Sequence, residues 1–329
     1  MSCRITTNDS RITLLFAGAA LLATAGAAPA QEYPAKPVRM IVPFAAGGNA
    51  DLIARILGQK LGETLKQQFI VDNRAGANGV IGSDVAAKSP PDGYTLLFGA
   101  SGHAINPGLY SKLPFDPVRD FAPVALVSST PMTLAVTNAL PAKSVKQLIG
   151  LARAQPGAMS YASQGNGSPG HLAGALLNQL AKTNILHVPY KATTQALTDL
   201  TSGQVQVMYP SLTAVLPHIN AGRVRALAIT TANRTKLAPD LPTMTESGIA
   251  GYEASIWNGV LAPAGTPASV IARLHGAIAT AVQSPEVRDR LLGAGADPSV
   301  RPPEAFGKFI VSEIAKWGKL IKDAGARID

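Results

Sequence analysis

Short apolar segments that suit buried β-strands alternate with amphipathic helical patterns along this chain, and this alternation leaves few possible architectures. Residues 38–43, 69–71 and 94–99 are predicted to form the first three strands. Between the first two strands, apolar residues recur at three- and four-residue spacings, as on one face of a helix: Leu52, Ile53, Ile56, Leu57, Leu61 and Leu65. This strand–helix–strand order predicts a parallel, doubly wound α/β sheet.

The alternation resumes in the second half of the chain, after apolar stretches at residues 124–127 and 133–136. A strand at residues 253–262 is expected to return the chain to the first set of elements. Two lobes with a ligand cleft between them are therefore predicted. Lobe 1 comprises residues 31–135 and 255–329, and lobe 2 comprises residues 136–254.

The first thirty residues have the pattern of a secretory signal peptide. Arg4 and Arg11 form a basic start, residues 12–23 form an apolar run, and Ala28-Pro29-Ala30 matches the small-residue cleavage pattern. Because the run is shorter than the roughly 20 residues of a spanning helix, export with cleavage near Ala30 is predicted. The single cysteine, Cys3, lies in this segment, so the mature chain has no thiol for a disulfide. A periplasmic protein is expected.

The net charge of +9 favours anionic partners. The basic residues are scattered and not interleaved with aromatic residues, so nucleic-acid binding is not expected. The five histidines show no metal-ligand spacing, and no two carboxylates form a recognisable acid–base pair. We therefore expect no metal, no cofactor and no catalytic residue.

Three glycine-containing turns each follow a predicted strand and precede a helix: residues 44–49, 99–103 and 163–170. Such a turn leaves backbone N–H groups at the helix start available to an anion. In the first turn, Asn49 is predicted to cap the helix, and Asp51 lies where the helix dipole favours a carboxylate. An ordinary structural turn is the alternative for each segment.

Two of these turns match enzyme motifs in part. Gly165, Gly167 and Gly170 have the spacing of the dinucleotide-binding fingerprint, but the acidic residue expected about twenty positions later is missing. Residues 99–103 partly match the nucleophile elbow of serine hydrolases, with His103 in place of the closing glycine. A carboxylate-binding loop is favoured, and an exported hydrolase acting through Ser101 or Ser168 stays open as an alternative.

A series of short motifs follows in order over most of the mature chain: Ile41-Val42-Pro43-Phe44, Asn73-Arg74, Pro91-Asp92-Gly93-Tyr94, Gly170-His171-Leu172-Ala173-Gly174, His187-Val188-Pro189-Tyr190-Lys191, Leu241-Pro242-Thr243 and Trp257-Asn258-Gly259. Together they resemble the Bug family, the periplasmic solute-binding proteins of tripartite tricarboxylate transporters. The resemblance implies a two-lobed type II periplasmic-binding-protein fold, each lobe a mixed, mostly parallel sheet flanked by helices.

In such proteins two facing loops hold a ligand carboxylate largely through backbone N–H groups, and hinge closure completes the site. The resemblance places the two loops at residues 44–49 and 163–168, with residues 99–103 and Lys191 nearby. Together with the analysis of the turns, it gives these candidate ligand-binding residues: Phe44, Ala45, Gly47, Gly48, Asn49, Asp51, Gly99, Ser101, His103, Ser163, Gln164, Gly165, Asn166, Gly167, Ser168, His171, Lys191 and Ser211. The implied partners are a small organic carboxylate and the permease subunits of a transporter or, alternatively, a sensor protein. A monomer is expected.

The chain departs from the family pattern after the predicted strand at residues 205–209. Pro210-Ser211 stands where many relatives carry an acidic residue. Without that carboxylate, a ligand ammonium group would lack its partner. A carboxylic acid without an α-amino group is therefore predicted, in preference to aspartate or glutamate.

Overall fold

The computed structural model describes Met1 and residues 33–325. The chain divides into two units, Met1–Ala35 and Lys36–Asp329, and both sheets belong to the second. Of the first unit the structure describes Met1 and residues 33–35, so the predicted signal peptide and its cleavage site lie outside the described residues, Met1 apart. Among the helices of the described residues, none has the length and apolar character needed to cross a membrane.

Six strands form the first sheet. They are β1 (Val38–Val42), β2 (Phe69–Asn73), β3 (Thr95–Ala100), β4 (Phe121–Pro131), β10 (Ser255–Pro263) and β11 (Asp297–Arg301). Their spatial order is β11-β4-β10-β3-β1-β2. β1 pairs in parallel with β2 and β3, whereas β10 pairs antiparallel with β3 and β4, and β11 pairs antiparallel with β4. The sheet is therefore mixed, with β10 and β11 running against the other strands.

Five strands form the second sheet. They are β5 (Thr133–Thr137), β6 (Ser160–Ser163), β7 (Leu186–Pro189), β8 (Val207–Met208) and β9 (Val224–Ile229). Their order is β7-β6-β8-β5-β9. β6 pairs in parallel with β7 and β8, and β5 pairs antiparallel with β8 and β9. Only β5 runs against the other strands of this sheet, so both sheets are mixed with a majority direction.

Helices connect and flank these strands. In the described residues they are α1 (Asn49–Leu65), α2 (Val80–Ala87), α3 (Gly102–Leu109), α4 (Val145–Ala154), α5 (Pro169–Ala181), α6 (Thr193–Ser202), α7 (Leu212–Asn220), α8 (Ala268–Gln283), α9 (Pro285–Gly293) and α10 (Pro303–Ala324). Helix α1 buries the predicted apolar face from Ile53 to Leu65, but Leu52 is 46% exposed. The helix begins one residue earlier than expected, with Gly48 at the N-cap instead of Asn49.

The chain crosses between the sheets twice, from β4 to β5 at Met132 and from β9 back to β10. The predicted lobe boundary at residues 135/136 falls inside β5. A single cluster of buried apolar residues includes Leu97 and Trp257 beside the first sheet and Leu134 and Tyr161 beside the second. This cluster therefore connects the two sheets, and a smaller cluster around Leu197, Leu200 and Met208 packs on the second.

Candidate ligand-binding site

A cavity of about 350 Å³ lies between the two sheets, next to the turns where several strands end. Its lining residues come from both sheets and their helices: Phe44, Gly48, Asn49, Ala50, Asn78, Ala100, Ser101, Gly102, Ile105, Thr130, Gly167, Pro169, Ser211, Thr213, Ile256 and Asn258. None of these described residues carries a formal charge. Larger cavities of about 550, 650 and 710 Å³ lie elsewhere and are lined by none of the residues predicted to bind a ligand.

Four of the described helices begin at this cavity. Helices α1 and α3 follow β1 and β3 of the first sheet, and α5 and α7 follow β6 and β8 of the second. The first N–H groups of a helix have no partner within it, and they give that end a partial positive charge. Within the described part of the chain, no side chain caps α1, α3 or α7. The cavity can therefore accept an anion without a cationic side chain.

The first turn is held in place by the carboxylate of Asp51, which is 4% exposed. Asp51 Oδ2 accepts the backbone N–H of Gly47 at 2.9 Å and the Nε–H of Arg55 at 3.0 Å. Asn73 Nδ2 donates to Asp51 Oδ1 and to the Phe44 carbonyl, both at 3.0 Å. Burial raises the pKa of Asp51, but the hydrogen bonds from Arg55, Gly47 and Asn73 outweigh burial and leave the pKa lowered.

Asp51 and Gly47 were predicted to contact a ligand, but neither residue lines the cavity. The Asp51 carboxylate is directed at the turn, and it takes up the Gly47 N–H that the anion cradle was expected to supply. Asn49 lines the cavity, yet its side chain donates to the Ala294 carbonyl at 2.8 Å. Asp51 acts as a positioning residue for the turn that carries Phe44 and Gly48.

Ser101 lines the cavity, but its hydroxyl is used inside the protein. Ser101 Oγ accepts the backbone N–H of Trp257 at 2.9 Å and donates to the Ser255 carbonyl at 3.3 Å. These bonds attach the end of β3 to β10. Gly99 lies within β3 below the turn, where an added Cβ would approach Leu261 Cδ1 at 2.8 Å. The Ser101 hydroxyl is thus poorly placed to act as a nucleophile.

His103 is not at the cavity, contrary to the prediction. The ring is 5% exposed, stacks on Phe115 and meets the edge of Phe121. Its Nε2 lies 2.8 Å from the Pro117 carbonyl oxygen. Helix α3 turns this side chain toward the apolar core because position 103 lies on the buried face of the helix.

The third turn is stabilised by its own hydrogen bonds. Ser163 Oγ accepts the Gly165 N–H at 3.1 Å, and His171 Nδ1 accepts the Gly167 N–H at 3.0 Å. Ser168 Oγ caps α5 by accepting the His171 N–H at 3.3 Å. The backbone N–H groups of Gly165 and Gly167, which were predicted to bind a carboxylate, are therefore already hydrogen-bonded. Of this turn, Gly167 and Pro169 line the cavity.

The other predicted residues do not line the cavity. Ala45, Asn166 and Lys191 are exposed, and Gln164 and Gly165 are half-buried. Of the predicted set, six residues line the cavity: Phe44, Gly48, Asn49, Ser101, Gly167 and Ser211. The prediction did not include several lining residues, among them Asn78, Thr130, Thr213, Ile256 and Asn258. In the described part of the chain, no group of three His, Cys, Asp or Glu side chains could hold a metal ion.

Behind the third turn, His171 stacks on His187 with ring centroids 3.8 Å apart. His187 Nε2 lies 2.6 Å from Ser163 Oγ, so the two rings support both ends of the turn. Burial lowers the pKa of His171 to about 4. Burial, with the neighbouring His171, lowers the pKa of His187 to about 4 as well. Burial also lowers the pKa of His103 to about 4, against a weaker opposing effect of the Pro117 carbonyl.

These three histidines predict a loss of stability in mild acid. Their pKa in the unfolded chain is about 6.5, so between that pH and about 4 the unfolded state binds more protons than the folded state. The contribution of the three neutral histidines to the free energy of unfolding should be complete above about pH 6.5 and should fall as the pH decreases toward about 4. Thermal unfolding midpoints measured from pH 7.5 to 4.5 check this. A midpoint that stays constant over this range would contradict neutral, buried histidines.

Comparison with known protein families gives one match over most of the chain. Residues 53–326 match the model described as the tripartite tricarboxylate transporter family receptor. The chain is 40% identical over 311 residues to the UPF0065 protein of the tcbD-tcbE intergenic region of Pseudomonas sp. strain P51, covering 93% of each chain. It is 39% identical over 312 residues to BugT of Bordetella pertussis, covering 93% of this chain and 96% of BugT.

Solved structures show the same similarity in three dimensions. Rpa4515 of R. palustris with adipate superposes with a TM-score of 0.76 at 38% identity, covering 90% of this chain and 100% of that one. MatC of Rhodopseudomonas palustris with bound malate gives a TM-score of 0.71 at 32% identity, covering 88% and 100%. The periplasmic binding protein BugD gives 0.72 at 36% identity, covering 90% and 100%.

Proposed function

Because this chain belongs to the tripartite tricarboxylate transporter receptor family, we propose that the cavity between its two sheets captures one small carboxylic acid. Members of this family are periplasmic solute-binding proteins that work with tripartite transporters. Relatives hold adipate and malate, both carboxylates. The protein binds its acid reversibly and releases it chemically unchanged.

The observation that supports this proposal is the convergence of four helix N-termini on a cavity whose described lining residues carry no formal charge. A carboxylate is stabilised there by several neutral N–H donors and by the helix dipoles. A cationic ligand would be disfavoured by the same dipoles. The apolar faces of Phe44, Ile105 and Ile256 suit the hydrocarbon body of an organic acid.

The same geometry disfavours an amino acid ligand. Among the described residues, no carboxylate side chain lines the cavity to pair with an ammonium group, and Ser211 lines it where many relatives are expected to carry an acidic residue. Burying an unpaired charge is costly, so aspartate and glutamate should bind weakly or not at all. We extend the proposal to a carboxylic acid without an α-amino group.

Binding is coupled to closure of the two lobes. An acid held by α1 and α3 of the first lobe gains further contacts from α7 and the turn at Gly167 when the second lobe approaches. Its greater affinity for the closed arrangement moves the equilibrium toward closure. We propose that the exported chain, cleaved near Ala30, acts as a monomer and delivers the acid to transporter permease subunits in the membrane. Delivery to a sensor protein would use the same closed form.

A screen of the mature chain, residues 31–329, tests the proposal. Thermal unfolding is followed with a panel of organic acids, the corresponding uncharged amides, and aspartate and glutamate. An acid at 100 times its dissociation constant should stabilise the fold by about 2.7 kcal/mol, while its amide should give little shift. Chromatography of the incubated acid should show no product. Equal shifts with acid and amide, or turnover of the acid, would contradict the proposal.

A further inference from the structure

Two buried polar atoms at the base of the cavity lack hydrogen-bond partners among the described residues. They are Oδ1 of Asn258 and Oγ1 of Thr130. Asn258 is 1% exposed and Thr130 is 2% exposed, and both residues line the cavity. Leaving a buried polar group unpaired costs about 1–3 kcal/mol, so two such groups beside one cavity require an explanation.

The sheet places these two residues on the same face. Asn258 of β10 lies opposite Ser128 of β4, and Thr130 of β4 lies opposite Ile256 of β10. Alternate residues of a strand share a face, so Asn258 and Thr130 are diagonal neighbours on the surface that bounds the cavity. The helix N-termini approach the same cavity from the connecting turns. Backbone N–H groups that can bind an anion and the uncharged side chains of Asn258 and Thr130 therefore face the same cavity.

The hydrogen-bonding capacity of Asn258 and Thr130 indicates which ligand group would fit between them. Asn258 Nδ2 donates to Ser128 Oγ at 3.4 Å, which leaves the Asn258 carbonyl oxygen as an acceptor. The Thr130 hydroxyl can donate and accept. A second carboxylate would be repelled by the Asn258 carbonyl oxygen, and an ammonium group would lack a counter-charge at this cavity. A hydroxyl group satisfies both residues, because it donates to Asn258 Oδ1 while accepting from Thr130.

We propose that this cavity selects hydroxy acids, with the ligand hydroxyl bound between Asn258 Oδ1 and Thr130 Oγ1. The inference rests on the proposed function, since the carboxylate of the same ligand lies at the helix N-termini. A site built to hydrogen-bond a hydroxyl discriminates strongly against the analogue without it, because the protein groups are then left unpaired. The hydroxyl should raise affinity at least tenfold.

Matched acids that differ by one hydroxyl test this selection. The pairs are malate and succinate, mandelate and phenylacetate, and 4-hydroxybenzoate and benzoate, each titrated calorimetrically into the mature chain. In at least one pair, the hydroxy acid should bind at least tenfold more tightly than its partner. Thr130→Val, which keeps the side-chain shape, should reduce that ratio to less than about threefold, because one of two hydroxyl contacts is lost.

Thr133→Val is the matched control. Thr133 Oγ1 is also buried and without a partner among the described residues, but Thr133 does not line the cavity. Both variants remove an unpaired hydroxyl and should fold, and only Thr130→Val should change the ratio. If acids bind with no preference in any pair, or if Thr130→Val keeps the full preference, the inference is wrong and the proposed function stands. If no acid binds, both fail.

Discussion

Replacing Gly167 by alanine should lower the affinity for the bound acid at least tenfold, or about 1.4 kcal/mol. Gly167 has a φ of +72°, where a side chain is strained. An added Cβ would lie 2.5 Å from Leu109 Cδ1, on the helix that flanks the other sheet. Since Leu109 is fully buried, the turn and α3 must move apart, which enlarges the cavity on one side. Calorimetric titration with the acid identified by screening measures the effect.

Gly165→Ala separates the clash from backbone strain. Gly165 also has a positive φ, +107°, but a Cβ there would meet only the Tyr190 carbonyl oxygen at 3.8 Å. The affinity of the Gly165→Ala variant should stay within about threefold of wild type, since the contact between this turn and Leu109 is not disturbed. An equal loss in both variants would attribute the effect to strain in the turn, and an unchanged affinity in Gly167→Ala would contradict the closed arrangement.

Replacing Asp51 by alanine should lower both stability and ligand affinity. The variant loses hydrogen bonds to Gly47, Arg55 and Asn73, and the Gly47 N–H is left without its acceptor. Hydrogen bonds to a charged group contribute more than neutral ones, so we expect a loss of about 2 kcal/mol in the free energy of unfolding. Because the turn that carries Phe44 and Gly48 loses its anchor, the affinity should fall about tenfold as well. Thermal unfolding and calorimetry measure the two effects.

Glu304→Ala is the matched control for this variant. Glu304 pairs with Lys308 one helical turn away, as Asp51 pairs with Arg55, but Glu304 and Lys308 are both exposed. An exposed pair of this kind contributes little to stability, because water and salt screen it. Stability and affinity should both stay close to wild type. If Asp51→Ala behaves like Glu304→Ala, the buried carboxylate does not position the turn.

Much of the fold could be predicted because strands and helices leave local patterns in the sequence. The third strand, predicted at residues 94–99, is observed at Thr95–Ala100, and the Bug-family resemblance is confirmed by the family match. Strand β11 was missed because Asp297–Arg301 is polar and only half-buried at the sheet edge, without an apolar alternation. The lobe boundaries and the signal-peptide cleavage near Ala30 stay predictions.

The site was predicted less completely, for a physical reason. The glycines of residues 44–49 make this turn recognisable in the sequence, and Gly48 lines the cavity. Whether a backbone N–H in that turn is free depends on side chains elsewhere: Asp51 accepts the Gly47 N–H, and Asn73 holds the Asp51 carboxylate in place. Thr130 gave no signal because its place beside Asn258 follows from strand pairing, which a single sequence does not encode locally.

The most direct test of the central claim is a crystal structure of the mature chain with the acid found by screening. The account predicts one acid in the cavity between the sheets, with carboxylate oxygens within hydrogen-bonding distance of backbone N–H groups at the starts of α1, α3 or α7. An acid bound at one of the larger cavities, or held in this cavity with its carboxylate directed away from the helix N-termini, would contradict it.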